Sequence, residues 1–192
     1  IEKGKLTAII GASGSGKTTL LNLIGGLYPP TEGTVTVDGV DLGSLREEER
    51  TVFRRRRVGF VFQGRGLVPE LTVRENILLP LALDGSRPDE VFFAELTELL
   101  GLKSKLDCFP HMLSGGGQQC AAIARALITR PSIILADEPT GSFDAKTSQN
   151  VAGLLKMTVD VFHQTLVMIT HNLELAQLAD RVVRLQDGRI VQ

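Results

Sequence analysis

A chain of 192 residues suits one domain and is long enough to bury a substantial core, so multidomain organisations start behind. An apolar content of 43% and a charged content of 22% lie near those of soluble globular proteins and exclude disordered and fibrous classes. The formal net charge of -1 argues against a nucleic-acid partner, and two cysteines, Cys108 and Cys120, without paired ligand spacing suggest neither disulfide framework nor zinc site, so a reducing cytosol fits.

The chain opens at Ile1 without an initiator methionine and enters a buried-looking strand, Leu6 to Ile10, almost at once, which reads as a fragment. Directly after that strand, GASGSGKT from Gly11 to Thr18 matches G-x-x-x-x-G-K-[ST], and the helical run Thr19 to Ile24 follows. Gly11, Gly14 and Gly16 let backbone N–H groups curl around phosphate oxygens, the helix N-terminus adds partial positive charge, Lys17 neutralises terminal phosphates and the Thr18 hydroxyl can ligate magnesium. The expected contact set for a nucleoside triphosphate, ATP with Mg2+, is therefore Gly11, Ala12, Ser13, Gly14, Ser15, Gly16, Lys17, Thr18 and Thr19. The bland alternative, a glycine-rich turn without ligand, fits the strand and helix context poorly.

Further along, Val35 to Val37 ending in Asp38-Gly39 reads as a hairpin strand, and the run Arg54 to Arg57 as a solvated face. Val58 to Phe62 is a second apolar strand, closed by Gln63. Between Thr72 and Thr129 the strand signal vanishes, and TVRENILLPLAL, EVFFAELTELL and AAIARALI follow a helical period. This segment reads as a helical subdomain, 72–129, inserted between 1–71 and 130–192 of the sheet domain, with Pro80 marking a kink or boundary and Pro88 a helix start. Strands return at Ile133 to Ala136, Leu166 to Ile169 and Val182 to Leu185, the last ending in the tight turn Asp187-Gly188. The alternation predicts an α/β fold with a mostly parallel sheet and antiparallel hairpin elements. No stretch reaches the roughly 18 continuous apolar residues of a membrane span, and the N-terminus is no signal peptide, so a role at a membrane needs another chain to cross it.

Polar residues close the apolar strands: Gln63 after VGFVF, Asp137 and Glu138 in IILADE, His171 after LVMIT. In open α/β sheets ligands sit outside the carboxyl ends of the strands, so these termini are expected to converge on the phosphate loop. Asp137 is placed to hold magnesium through water, and Glu138 to orient and polarise an attacking water as general base. Singly, Gln63 could cap a strand, His171 could be a satisfied strand-end histidine and Glu138 a surface carboxylate before Pro139. Their common register argues against all three.

LSGGGQQCAAIARAL, from Leu113 to Leu127, puts Ser114 and glycines at a helical start, a ready anion site. It lies in the helical insertion, away from Gly11, so a second copy facing head to tail is the economical way to bring both to one phosphate.

With these motifs in order and spacing, the sequence resembles the ATP-binding domain of ABC transporters over essentially its whole length, a P-loop NTPase fold. The resemblance rests on GASGSGKT, Gln63, LSGG from Leu113 to Gly116, IILADE ending at Glu138, SFD from Ser142 to Asp144, and His171. Within that superfamily, GLVPELTVRENILLPLAL and ADEPTGSFD look like the macrolide exporter, lipoprotein-release and antimicrobial-peptide resistance branch. The resemblance implies an ATPase in which Lys17, Thr18, Gln63, Asp137, Glu138 and His171 bind and hydrolyse ATP, with Thr18, Gln63 and Asp137 on the metal. It implies that Ser114, Gly115, Gly116 and Asp144 face a nucleotide at the dimer interface, that residues from Gln63 to about Thr72 dock transmembrane permease subunits, and that the chain lies peripherally on the cytoplasmic membrane face.

Several positions depart from the family pattern. Gly117 stands where Gln is usual and Cys120 where Arg is usual, which predicts intact binding with weakened closure and turnover, against neutral drift. Phe143 and Ser142 replace Leu and Asn, and Asn172 follows the histidine where Asp is usual, with little expected effect. The aromatic residue that stacks on adenine, and the N-terminal strands, are expected upstream of Ile1; Tyr28 reads as packing or surface. A DNA-repair or translation ATPase of the same superfamily would need a long coiled coil or a second domain. A P-loop kinase leaves Ser114 to Gly116, Gln63 and His171 unexplained. A regulator with decayed catalysis is the alternative that Gly117 and Cys120 keep open.

Overall fold

The computed structural model describes every residue except Gln63, Arg65, Ser142 and Gln192. Strand β1 (Leu6–Ile10) leads through the glycine-rich loop into helix α1 (Lys17–Ile24). A small antiparallel ribbon follows, β2 (Thr36–Val37) and β3 (Val40–Asp41). Its turn, Asp38-Gly39, has positive φ at both residues, 51° and 79°, as a tight primed turn between twisted strands requires. Next come α2 (Glu47–Arg57) and β4 (Val58–Phe62).

Between β4 and the following strand the described chain is helical: α3 (Val73–Leu83), α4 (Glu90–Leu99) and α5 (Gly115–Leu127). The starts of all three are legible. Thr72 and Glu75 form a reciprocal capping box on α3, the Asp89 carboxylate accepts the Val91 and Phe92 amides at the start of α4, and the Ser114 hydroxyl accepts the Gly117 amide on α5. Pro88 does precede a helix, and of the two readings for Pro80, kink or boundary, the boundary is absent, since Pro80 lies within α3 without ending it. The chain then alternates through β5 (Ile133–Asp137), α6 (Ala145–Phe162), β6 (Leu166–Ile169), α7 (Leu173–Ala176), β7 (Arg181–Gln186) and β8 (Arg189–Ile190).

The main sheet has the order β4-β5-β6-β1-β7-β8, parallel except for the terminal β7–β8 pair. Its central strands are apolar on both faces because helices cover both. Ile134, Ala136, Leu166 and Met168 join a core with residues of α3, α4, α5 and α6. Their strand neighbours Ile133, Leu135, Val167 and Ile169 pack with Leu21 of α1, Val37 and Leu42 on the other face. Strand β1 sits beside β6 although most of the chain separates them, and this crossover aims the glycine-rich loop at the ends of β5 and β6.

The arginine run is partly exposed yet engaged, which sharpens its reading as a solvated face. Arg54 Nη1 donates to the Gly26 carbonyl at 2.8 Å, Arg55 and Arg56 share Asp84 at 2.8 and 2.9 Å, and Arg57 lies 3.5 Å from Asp38. Asp84 caps the C-terminal end of α3, so this pair joins α2 of the sheet layer to the helical segment. No helix among the described residues is long and apolar enough to cross a membrane.

Candidate functional site

The loop after β1 is held by its own backbone and by the hairpin beyond it. A side chain at Gly11 would put its first carbon 2.2 Å from the Leu185 carbonyl, so only glycine lets the loop pass over β7. Gly16, the N-cap of α1, has φ 97°, a conformation glycine adopts without strain. The Gly188 amide donates to the Ser15 carbonyl at 3.0 Å, fastening the loop to the β7–β8 turn. That support is missing from the sequence reading. Asp187-Gly188 announces a turn, but nothing in the sequence tells that the turn meets Ser15.

A cleft of about 440 Å³ opens above the loop, lined by Gly11, Ser13, Gly14, Gly16, Lys17, Thr18, Thr19, Asp137, Glu138, Ile169 and His171. Nine of the eleven come from the loop, its helix and the ends of β5, all singled out from sequence with His171; the lining adds Ile169. Ala12 and Ser15 stand behind the lining: the Ala12 carbonyl accepts from Lys17, and Ser15 is buried under the loop. Lys17 Nζ lies folded over the loop, donating to the carbonyls of Gly11 at 2.9 Å and Ala12 at 2.7 Å.

Across the cleft the Thr18 hydroxyl donates to Asp137 Oδ2 at 3.1 Å, joining two hard oxygen ligands from residues far apart in sequence. Glu138 follows in a left-handed backbone conformation, φ 44°, which costs a non-glycine residue about 1 to 3 kcal/mol and is typical of functional positions. His171 Nδ1 approaches Glu138 Oε2 to 2.9 Å, but without the direction of a hydrogen bond. Oε2 is therefore a shielded acceptor with no hydrogen-bond partner, and a shielded carboxylate oxygen in that state needs a donor such as water. Among the described residues no cluster of three or more His, Cys, Asp and Glu could cage a metal. A hydroxyl, a single carboxylate and room for phosphate oxygens and water suit magnesium, which keeps most of its ligands from water and phosphate. Gln63 lies outside the described residues.

Ser114, Gly115 and Gly116 stand apart from this cleft. They line a second one of about 470 Å³ with Gly117, Cys120, Phe143, Asp144 and Thr147, and the two clefts share no residue. Here the Ser114 hydroxyl accepts the Gly117 amide at 3.2 Å. Both Asp144 oxygens are spent on Thr147, its amide at 2.9 Å and its hydroxyl at 2.7 Å, capping α6. The amide bond, then the hydroxyl, hold the Asp144 carboxyl below the usual range. Within one chain, then, neither the Ser114 loop nor Asp144 reaches the Lys17 cleft. Cys120 is 8% exposed, and burial pushes its thiol above the ordinary value. Asn172 caps α7, accepting the Glu174 and Leu175 amides as an aspartate would. Tyr28 is 59% exposed, a surface residue.

Residues 1–141 match the ABC transporter family. The chain is 42% identical over 192 residues to the lipoprotein-releasing system ATP-binding protein LolD of Bordetella pertussis, covering 99% of this chain and 83% of that relative. It is 45% identical over 196 residues to the macrolide export ATP-binding/permease protein MacB of Rhodopirellula baltica, covering all of this chain but only 29% of that longer protein. A solved dimeric structure of the ATP-binding cassette MJ0796 in a post-hydrolysis state, bound to ADP and Pi, superposes with a TM-score of 0.86 at 41% identity, covering 100% of this chain and 85% of that one.

Proposed function

We propose that this chain, which belongs to the ABC transporter family, binds ATP with magnesium between Gly11 and Thr19, hydrolyses it as a head-to-tail dimer, and so drives membrane permease subunits from the cytoplasmic face. One observation carries this reading: the Thr18–Asp137 pair and the Glu138–His171 pair meet in one cleft with the phosphate loop.

Bound magnesium would neutralise phosphate charge, and Thr18 and Asp137 are the residues to hold it, with Gln63 next in line. Lys17 exchanges its two loop carbonyls for phosphate oxygens, a swap that keeps the ammonium satisfied in both states. The partnerless Oε2 of Glu138 accepts a proton from the attacking water as general base, while His171 alongside orients that carboxylate. The Ser114 hydroxyl and the Gly115 and Gly116 amides complete the site of a second copy, with Asp144 at the same interface. The Ser114 hydroxyl can donate its proton to a phosphate oxygen while its oxygen still accepts the Gly117 amide.

The family relatives support a permease partner, since LolD is a lipoprotein-releasing system component and MacB a macrolide exporter by name. The segment that follows β4 in sequence, from Gln63 to about Thr72, is the proposed dock for it. Gly117 and Cys120 favour a slower enzyme as the second reading, a nucleotide-binding regulator at the limit.

The test is ATP-driven dimerisation of Glu138→Gln, read by size-exclusion chromatography. A shift to dimer with ATP and none with ADP is expected. A monomer at every ATP concentration would overturn the composite site.

A further inference from the structure

Gln119 sits on α5 beyond Ser114 and is fully buried. Its Nε2 donates to the Phe62 carbonyl at 3.4 Å, and its Oε1 is shielded without any hydrogen-bond partner. Phe62 is the last residue of β4, in register with Asp137 on β5, and the chain continues from it into Gln63. Around this contact α5 is pressed onto β4, because a side chain at Gly59 would put its first carbon 2.4 Å from the Ala126 carbonyl. Arg125 Nη1, on the same helix, donates to the Gly66 carbonyl at 2.6 Å. One helix thus carries Ser114 at its start and grips the described chain on either side of Gln63.

A buried carboxamide with a weak donor bond and an orphan oxygen is a poor way to fill a core. Met would occupy the same volume without an unpaired polar atom. An amide with a spare acceptor suits instead a contact that changes partner when the strand end moves. We infer that Gln119 is a positioning residue: it transmits the engagement of Ser114 to Gly116 with a second copy's nucleotide along α5 to the end of β4, and so to Asp137 of the chain's own site. This rests on the head-to-tail reading above.

The experiment compares Gln119→Met with the parent in the full-length protein and its membrane partner. Thermal midpoint, ATPase kcat, KM and the Hill coefficient for ATP are measured, with ATP-driven dimerisation read in the Glu138→Gln background. The expected result is a midpoint kept or raised, dimerisation retained, KM within about twofold, kcat reduced on the order of tenfold and a Hill coefficient falling toward unity. Gln119→Asn, which keeps the amide but is too short for Phe62, is expected to show the same loss of kcat. Unchanged kcat and Hill coefficient in both variants would overturn the role, as would a parallel fall of midpoint, binding and kcat, the mark of a merely structural residue. Failure of Glu138→Gln alone to dimerise would overturn the head-to-tail site itself, a separate outcome.

Discussion

At the scale of single residues, Gly117 shows how a departure from a motif can be tolerated by the fold and still matter to the site. Its amide caps onto the Ser114 hydroxyl, and a first side-chain carbon there would meet Ser114 Oγ at 3.4 Å and Leu113 at 3.5 Å, ordinary contact distances. A longer side chain fits, and glutamine is a better helix former than glycine. Gly117→Gln is therefore expected to stabilise the chain by about 0.5 kcal/mol in urea denaturation. Paired with Cys120→Arg it is expected to raise steady-state ATPase, whereas an unchanged rate would mark both positions as drift. Cys120 is the more constrained of the two, because an arginine in its place must reach out of a core position along the cleft beside Phe143.

At the scale of elements, two polar residues fasten segments that apolar patterning alone leaves loose. Asn76 is fully buried in α3; it accepts the Val68 amide at 2.7 Å and donates to the carbonyls of Val68, Leu71 and Thr72 at 2.9, 3.0 and 3.0 Å. The segment before α3 is thereby moulded onto the helix, and it is the segment proposed to meet the permease. The carbonyls of Val68 and Thr72 also accept the Leu71 and Asn76 amides, so Asn76→Ala deprives chiefly the Val68 amide and the Leu71 carbonyl, and a loss of about 2 kcal/mol is expected in denaturation, with faster amide exchange at Val68. Asp180 ties the start of β1 to the far side of the sheet: it accepts the Leu6 amide at 2.8 Å and Lys156 Nζ at 3.0 and 3.1 Å. The Leu6 amide first, and Lys156 next, hold its carboxyl below the ordinary range. A depressed carboxyl contributes stability that is full above its unfolded-state value and lost as pH falls through the folded-state value. Asp180→Asn should thus flatten the acid limb of the stability–pH curve; an unaltered acid limb would refute the assignment.

At the scale of the whole molecule, the sheet layer and the helical segment are held by a few separate contacts as well as by the apolar core. Asp84 at the end of α3 is shared by Arg55 and Arg56 of α2, and hydrogen bonding by Arg56 is the leading cause of its lowered carboxyl. A second tie joins Arg130, just ahead of β5, to Asp89 at the start of α4, with the guanidinium 4.3 Å from the Phe92 ring centre. Such pairs are screened by salt and contribute more to orientation than to stability. Asp84→Ala is expected to leave the unfolding midpoint nearly unchanged while speeding amide exchange in α3 and α4, an effect that high salt reproduces in the parent. Equal exchange in both proteins would show that apolar packing alone sets the orientation.

Local chemistry made much of this legible in the sequence. GASGSGKT between a strand and a helix, IILADE and LVMITH at strand ends, and Ser114 before a helical run are each written in adjacent residues, because a phosphate loop, a strand terminus and a helix cap are built from neighbours in the chain. The same locality explains why β1, β4 and β6 lie where their apolar runs lie, β1 and β6 buried on both faces and β4, at the sheet edge, leaving Phe62 exposed. The order of the strands is a different matter. Strand β1 pairs with β6 and β7, contacts that span most of the sequence, and only that order brings Thr18 to Asp137 and the Gly188 turn under Ser15. Likewise, nothing local says that Pro80 is tolerated inside α3, that Arg55 and Arg56 find Asp84, or that Gln119 finds Phe62. Motif residues carry their chemistry within a few positions, whereas the partners that hold them at working distance are chosen by packing over the whole chain.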